Sequence, residues 1–307
     1  MRRRLTSGAV VFGFARTRDQ REESLPGELR GHRVSSEMEL PPILPTLTPD
    51  ELRELARAKA LLENPGFTAR LAGALGKPIE QGFKLLPSGW QNVVNKAAKA
   101  ALFAALNTAV TTMGGRQPRR ASEKFHKLLV GASGGIGGVF GLASLPVELP
   151  VSTTIMLRSI ADIARSEGHD IRAAQTKMAC LEVFALGGKS SVDDAAEGTY
   201  WAVRAALAKA VSEAAAYLAE KSAVEQSAPA LLRLVTAVAS RFGVVVSEQA
   251  AAKAVPIVGA AGGATVNVLF MDHFQDMARG HFIVRRLEAR HGTEIVRAAY
   301  ESIALPS

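Results

Sequence analysis

From Trp90 onward, apolar residues recur at steps of three and four: Val93, Val94, Ala97, Ala101, Ala105, Ala109 and Met113, closed by Gly114-Gly115. That spacing lines one face of a helix, and the pattern predicts an amphipathic helix over about 90–113. Before it, Thr48-Pro49-Asp50-Glu51 sets an N-cap hydroxyl, a proline in the first turn and a glutamate three residues past the cap. The first helix is therefore expected from residue 49 to the Asn64-Pro65-Gly66 break, with a shorter piece ending at Gly76-Lys77-Pro78. The same reasoning predicts helices near 122–145, 152–166, 171–186, 192–222, 229–253, 256–290 and 293–303. Gly168, Gly187-Gly188, Pro229, Pro256 and Gly292 separate them. The β-branched cluster Val244-Val245-Val246 lies inside a helical pattern and reads as helix interior. The expectation is an all-α protein, a single multi-helix bundle over 47–307, preceded by a disordered leader over 1–46.

The leader holds eight arginines against five acidic residues up to Met38. Its apolar patch, Ala9 to Ala15, is too short for a secretory signal and runs into Arg16, Arg18 and Arg21, so a start at Met38 and a cytoplasmic protein are expected. Cys180 is the single cysteine of 307 residues, which leaves no intrachain disulfide and no disulfide-linked partner.

Two segments lack charge altogether. Leu128–Val147 and Ala254–Met271 are long enough to span a bilayer. Gly131, Gly134, Gly135 and Gly138 in the first, with Gly259 and Gly263 in the second, form stripes where another backbone approaches closely. Two readings follow: buried helices packing on each other, or helices that enter or lie on lipid. Arg116, Arg119, Arg120, Lys124 and Lys127 crowd before the first segment, the electrostatic signature of contact with an anionic membrane surface. Lys253 before the second segment, and Arg279, Arg285, Arg286 and Arg290 after it, extend the basic flank.

The formal charge of +8 and pI of 9.8 do not point to nucleic acid, because the basic residues come without an aromatic stacking platform or a binding motif. Gly188-Lys189-Ser190 lacks the earlier glycine of a phosphate loop, since Val183 stands there, and reads as a helix C-cap. No zinc-protease, paired-cysteine or nucleophile-elbow motif occurs, so no metal and no cofactor are expected.

A polar set remains. Glu148 sits between Pro146 and Pro150, where a helix break is expected; it either caps the helix starting near Ser152 or faces Arg158, Asp162 and Glu182. Arg158 and Asp162 stand four apart, the spacing of a same-face ion pair. Asp272, His273, Asp276, Arg279 and His281 follow the second apolar segment, a spacing that allows proton exchange or an ion-pair network.

Four ordered segments carry a resemblance: GGIGGVFGLASLPVELP (134–150), RSIADIARSEG (158–168), LEVFALG (181–187), and PIVGAAGGATVN (256–267) running into DHFQDMARGHF (272–282). Over about 47–300 the chain resembles the EcsC family, bacterial proteins named after the third product of an ABC-transporter operon. The resemblance implies a helical, cytoplasmic, membrane-associated accessory protein at the inner face of the cell membrane, linked to a membrane transport complex. The alternative from the residues themselves is a helical hydrolase or metal-assisted enzyme using Glu148, Glu182, Asp272, His273 and Asp276.

Overall fold

The computed structural model describes residues 47–63, 67–75, 80–112, 145–188, 200–254 and 259–304. Those residues form helices α1 (Pro49–Glu63), α2 (Phe67–Leu75), α3 (Glu80–Lys84), α4 (Trp90–Thr112) and α5 (Leu145–Ser166). They continue with α6 (Ala174–Leu186), α7 (Tyr200–Lys221), α8 (Pro229–Ala254), α9 (Gly259–His291) and α10 (Thr293–Ser302). No strand occurs among them, and the fold is all-α. The basic stretch from Arg116 to Lys127, the glycines Gly131, Gly134, Gly135 and Gly138, and the leader lie outside the described residues, as does the expected helix over 122–145 except for Leu145.

Local signals place the helix ends. The Glu51 amide donates to Thr48 Oγ1 at 3.2 Å while the Thr48 amide donates to Glu51 Oε2 at 2.9 Å, the reciprocal pair of a capping box. Gly168 and Gly292 both take φ of +87°, a conformation that costs other residues steric strain, and each follows a helix end.

The longest element, α9, has 33 residues, about 50 Å at 1.5 Å per residue. It packs against α1, α2, α5, α6, α8 and α10, and is the axis on which the bundle is assembled. Around its middle, Phe270 and Phe274 meet Phe67 of α2, Phe184 of α6 and Phe242 of α8, with successive ring centroids 5.0–6.0 Å apart. All five rings are buried, and such edge-on pairs add about 0.5–1.5 kcal/mol each beyond their burial.

Three expectations change. The helix expected near 152 begins instead at Leu145 and runs through Pro150. Pro146, in the first turn, surrenders an N–H that has no helical partner there, so the two prolines together remove one intrahelical bond, the one Pro150 would have donated. Gly187, the C-cap that ends α6 at the expected glycine pair, is right-handed, with φ −75° and ψ −18°, where a glycine cap is usually left-handed. Their role is close approach: a Cβ on Gly187 would lie 2.6 Å from His273 Nε2, and one on Gly188 would collide with the Arg241 carbonyl of α8. The third concerns the apolar segments. Among the described residues, the helix long and apolar enough to cross a membrane is α8, with mean hydropathy 1.6 in its best window and 56% of that window buried in the bundle. Of the segment 254–271, Gly259 lies in the first turn of α9, while Gly263, Val266, Phe270 and Met271 are buried.

Candidate functional site

The polar side chains of α9 reach different neighbours because each residue turns the helix by about 100°. Near its start, Asn267 Nδ2 donates to Glu148 Oε1 at 2.8 Å, and Lys253 Nζ donates to the same oxygen at 2.6 Å. Gln249 Nε2 completes the row on Asn267 Oδ1 at 2.8 Å. Glu148 and Lys253 are 8% and 5% exposed, an ion pair held inside the bundle. Burial pulls the Lys253 ammonium down from its ordinary pKa, and Glu148 opposes that shift. Glu148 therefore neither caps a helix at Ser152 nor joins Arg158, Asp162 and Glu182; it ties the first turn of α5 to α8 and α9. Lys253 likewise serves as its counter-ion and not as a flank facing headgroups.

Two turns further, His273 Nε2 lies 3.0 Å from the Gly187 carbonyl and its ring packs against Phe67 and Phe274. Gln275 Nε2 donates to Ser159 of α5. Asp276 receives Arg70 of α2 at 2.8 Å and Arg279 at 3.2 Å, while Asp272 is half-buried on the same helix. Arg158 is exposed and reaches Thr112 of α4, and Asp162 pairs with Arg165 at 2.9 Å in place of the expected Arg158 partner. Arg286 pairs with Glu54 and Glu167, and the exposed Arg290 with Glu51.

The last pair differs in facing a cavity. His281 is fully buried; its Nδ1 lies 3.1 Å from Tyr200 Oη, and its Nε2 lies 3.7 Å from Glu182 Oε2. Arg204 Nη1 donates to Tyr200 Oη at 3.3 Å, and the imidazole tautomer sets which of Tyr200 and His281 donates to the other. Burial, helped by Arg285 and Arg204, holds the imidazole well below its ordinary pKa and hence neutral. Glu182, 3% exposed, is pushed up to about 7 by burial, against the pull of Arg204 and Arg285.

The cavity beside it measures about 330 Å3 and is lined by Gln175 and Glu182 of α6, Trp201 and Arg204 of α7, Arg285 of α9 and Arg297 of α10, among others. Arg204 is locked by two bonds to Glu288, at 2.9 and 3.0 Å, with its guanidinium 5.1 Å from the Trp201 ring centre. Arg297 flanks the same ring at 5.9 Å and is held by Glu301. Arg285 enters no ion pair with a described residue. Cys180, two residues before Glu182 on α6, is buried with its thiol pushed up to about 12, which makes it a poor nucleophile. Among the described residues no three His, Cys, Asp or Glu side chains are grouped to hold a metal ion.

The EcsC protein family model matches residues 50–287. That span is well over half of the chain. The chain belongs to the EcsC protein family. No curated protein and no solved structure matches it. The EcsC match takes in α1 to α8 and α9 as far as Leu287, so Glu148, Glu182, Trp201, Arg204, His281 and Arg285 fall within it and Arg297 does not.

Sequence reasoning singled out Glu182 and His281 but missed Tyr200, Arg204 and Glu288, which complete their surroundings. No short motif marks these residues. The available signal was the wide polar spacing along α7 and α9, which any exposed helix face shows equally.

Proposed function

We propose that this EcsC protein is an accessory factor to membrane transport that works on the inner face of the cell membrane as a peripheral helical bundle. The carrying observation is a pair of exposed valines, Val147 at 74% and Val151 at 50%, four residues apart in the opening turns of α5. They stand at the exit of the uncharged run 128–147, which the basic residues from Arg116 to Lys127 precede. An apolar pair that follows a run of cations in the chain suits the boundary between headgroups and acyl chains. Each cation near an anionic surface contributes about 1 kcal/mol, and each valine about 1.5 kcal/mol or more on full burial.

The catalytic alternative asks Glu148, Glu182, Asp272, His273 and Asp276 to share one site, yet Glu148, His273 and Asp276 bond to different neighbours along α9. Fourteen residues of α9 separate Asn267, which holds Glu148, from His281, about 21 Å along the axis, too far for Glu148 and Glu182 to act on one substrate atom.

Co-sedimentation of the full chain with neutral and phosphatidylserine-containing vesicles tests the membrane reading. Binding to the anionic vesicles, weakened by salt and by Val147→Ser with Val151→Ser, is the expected outcome. A protein that stays in the supernatant with both vesicle types overturns it.

A further inference from the structure

Two groups of opposite character face the same cavity without meeting each other. Glu182 is 3% exposed and makes no hydrogen bond to a described residue, with His281 Nε2 3.7 Å from its Oε2. Arg285 also lines the wall; it makes no ion pair with a described residue, Glu182 included, and acts on Glu182 only through its charge. A buried polar group left without a partner costs about 1–3 kcal/mol, and more when charged, so such groups normally acquire one.

The remaining wall restricts what that partner is. The Trp201 ring already carries two guanidinium groups, Arg204 and Arg297, so a cationic ligand would meet three arginines and no free aromatic face. A guanidinium fork matches the oxygens of a carboxylate or phosphate, whereas Glu182 accepts from a hydroxyl or amine. A volume of about 330 Å3 leaves room for a small polar molecule.

We propose that the cavity between α6, α7, α9 and α10 binds a small organic oxyanion bearing a hydroxyl or amino group, with its anionic oxygens on Arg285 and its O–H or N–H on Glu182. Arg204 is then a positioning residue: its bidentate bond to Glu288 fixes it against Trp201 and Tyr200, and it supports the positive wall without spending its fork on the ligand. This reading does not depend on membrane association.

Trp201 reports on the site directly. With Trp90→Phe, it is the single tryptophan of the chain, and its fluorescence is followed while the full protein is titrated with glycerol 3-phosphate, with sulfate, and with choline chloride at matched ionic strength. The expected result is a saturable change with glycerol 3-phosphate, weaker binding of sulfate by roughly tenfold because it offers no O–H to Glu182, and no saturation with choline. Arg285→Gln should weaken glycerol 3-phosphate by roughly tenfold or more, and Glu182→Leu should bring it to within about twofold of sulfate. Circular dichroism of each variant identifies loss of fold. Should Arg285→Gln unfold, Arg285→Lys keeps the charge without the fork and is expected to bind about fivefold more weakly. Absence of a saturable change with glycerol 3-phosphate, saturation by choline alike, or unchanged affinity in the folded Arg285 variant overturns the proposal.

Discussion

Replacing Glu182 by Gln removes a titrating group and keeps its volume. In the folded protein burial raises this carboxyl from 4.5 to about 7, with Arg204 and Arg285 restraining the rise. The folded state therefore holds the proton more tightly than the unfolded chain. Stability linked to Glu182 is fully present below about pH 4.5, falls as pH rises towards 7, and levels off above it. A shift of this size corresponds to about 3 kcal/mol at 1.36 kcal/mol per pH unit, of which about 2–3 kcal/mol is lost between pH 5 and pH 8. Gln does not titrate, so the stability of Glu182→Gln relative to the parent should improve by that amount from pH 5 to pH 8. Urea unfolding followed by circular dichroism at the two pH values measures it, and the corresponding shift in melting temperature is roughly 4–12 °C. An equal difference at both pH values would refute the reasoning, since it would mean that the carboxyl ionises in the fold as readily as in water.

Two further predictions concern packing and buried charge. Lys253→Ala strands the Glu148 carboxylate inside the bundle and should cost about 3–5 kcal/mol in urea unfolding, whereas Glu148→Gln with Lys253→Met keeps an acceptor for Asn267 and should recover most of that loss. Gly188→Ala, which drives a methyl group into the Arg241 carbonyl, should destabilise by about 3 kcal/mol, while Gly73→Ala in α2, with open space around it, should stabilise by about 0.5–1 kcal/mol in thermal melts.

The helices were legible because their signals are local. The Thr48–Glu51 box and the glycines at 168 and 292 each act within a few residues, and the apolar face of α4 from Val94 to Ala109 is buried as its spacing predicts, with Val93 left exposed at its edge. Pro146 and Pro150 misled for a physical reason: a proline is equally at home in a helical first turn and at a helix break, and what decides between them is packing. The site was less legible. Glu148 finds Lys253 across 105 positions, and Asp276 finds Arg70 across 206, distances over which sequence spacing carries no geometry. Residues 272–281 look like one cluster in the chain, yet the helix aims them apart: His273 at the end of α6, Asp276 at α2, His281 at Tyr200.

What distinguishes the Glu182 cavity from the other polar places is that its groups are not spent on one another. At the start of α9 an equally buried carboxylate, Glu148, is neutralised by Lys253 and bonded by Asn267, and that arrangement is explained by holding α5, α8 and α9 together. Glu182 holds nothing together. A glutamine or leucine would pack in its place without the roughly 3 kcal/mol that its charge costs near neutral pH, and Arg285 would lose no ion pair. Meanwhile Arg204, Tyr200 and His281 form a chain of hydrogen bonds whose last ring nitrogen, His281 Nε2, lies 3.7 Å from this same carboxyl. Groups kept at a cost to stability and facing open space are the mark of a site shaped for something other than folding. The position where the fold gains least from its side chain is thus the position on which binding depends most.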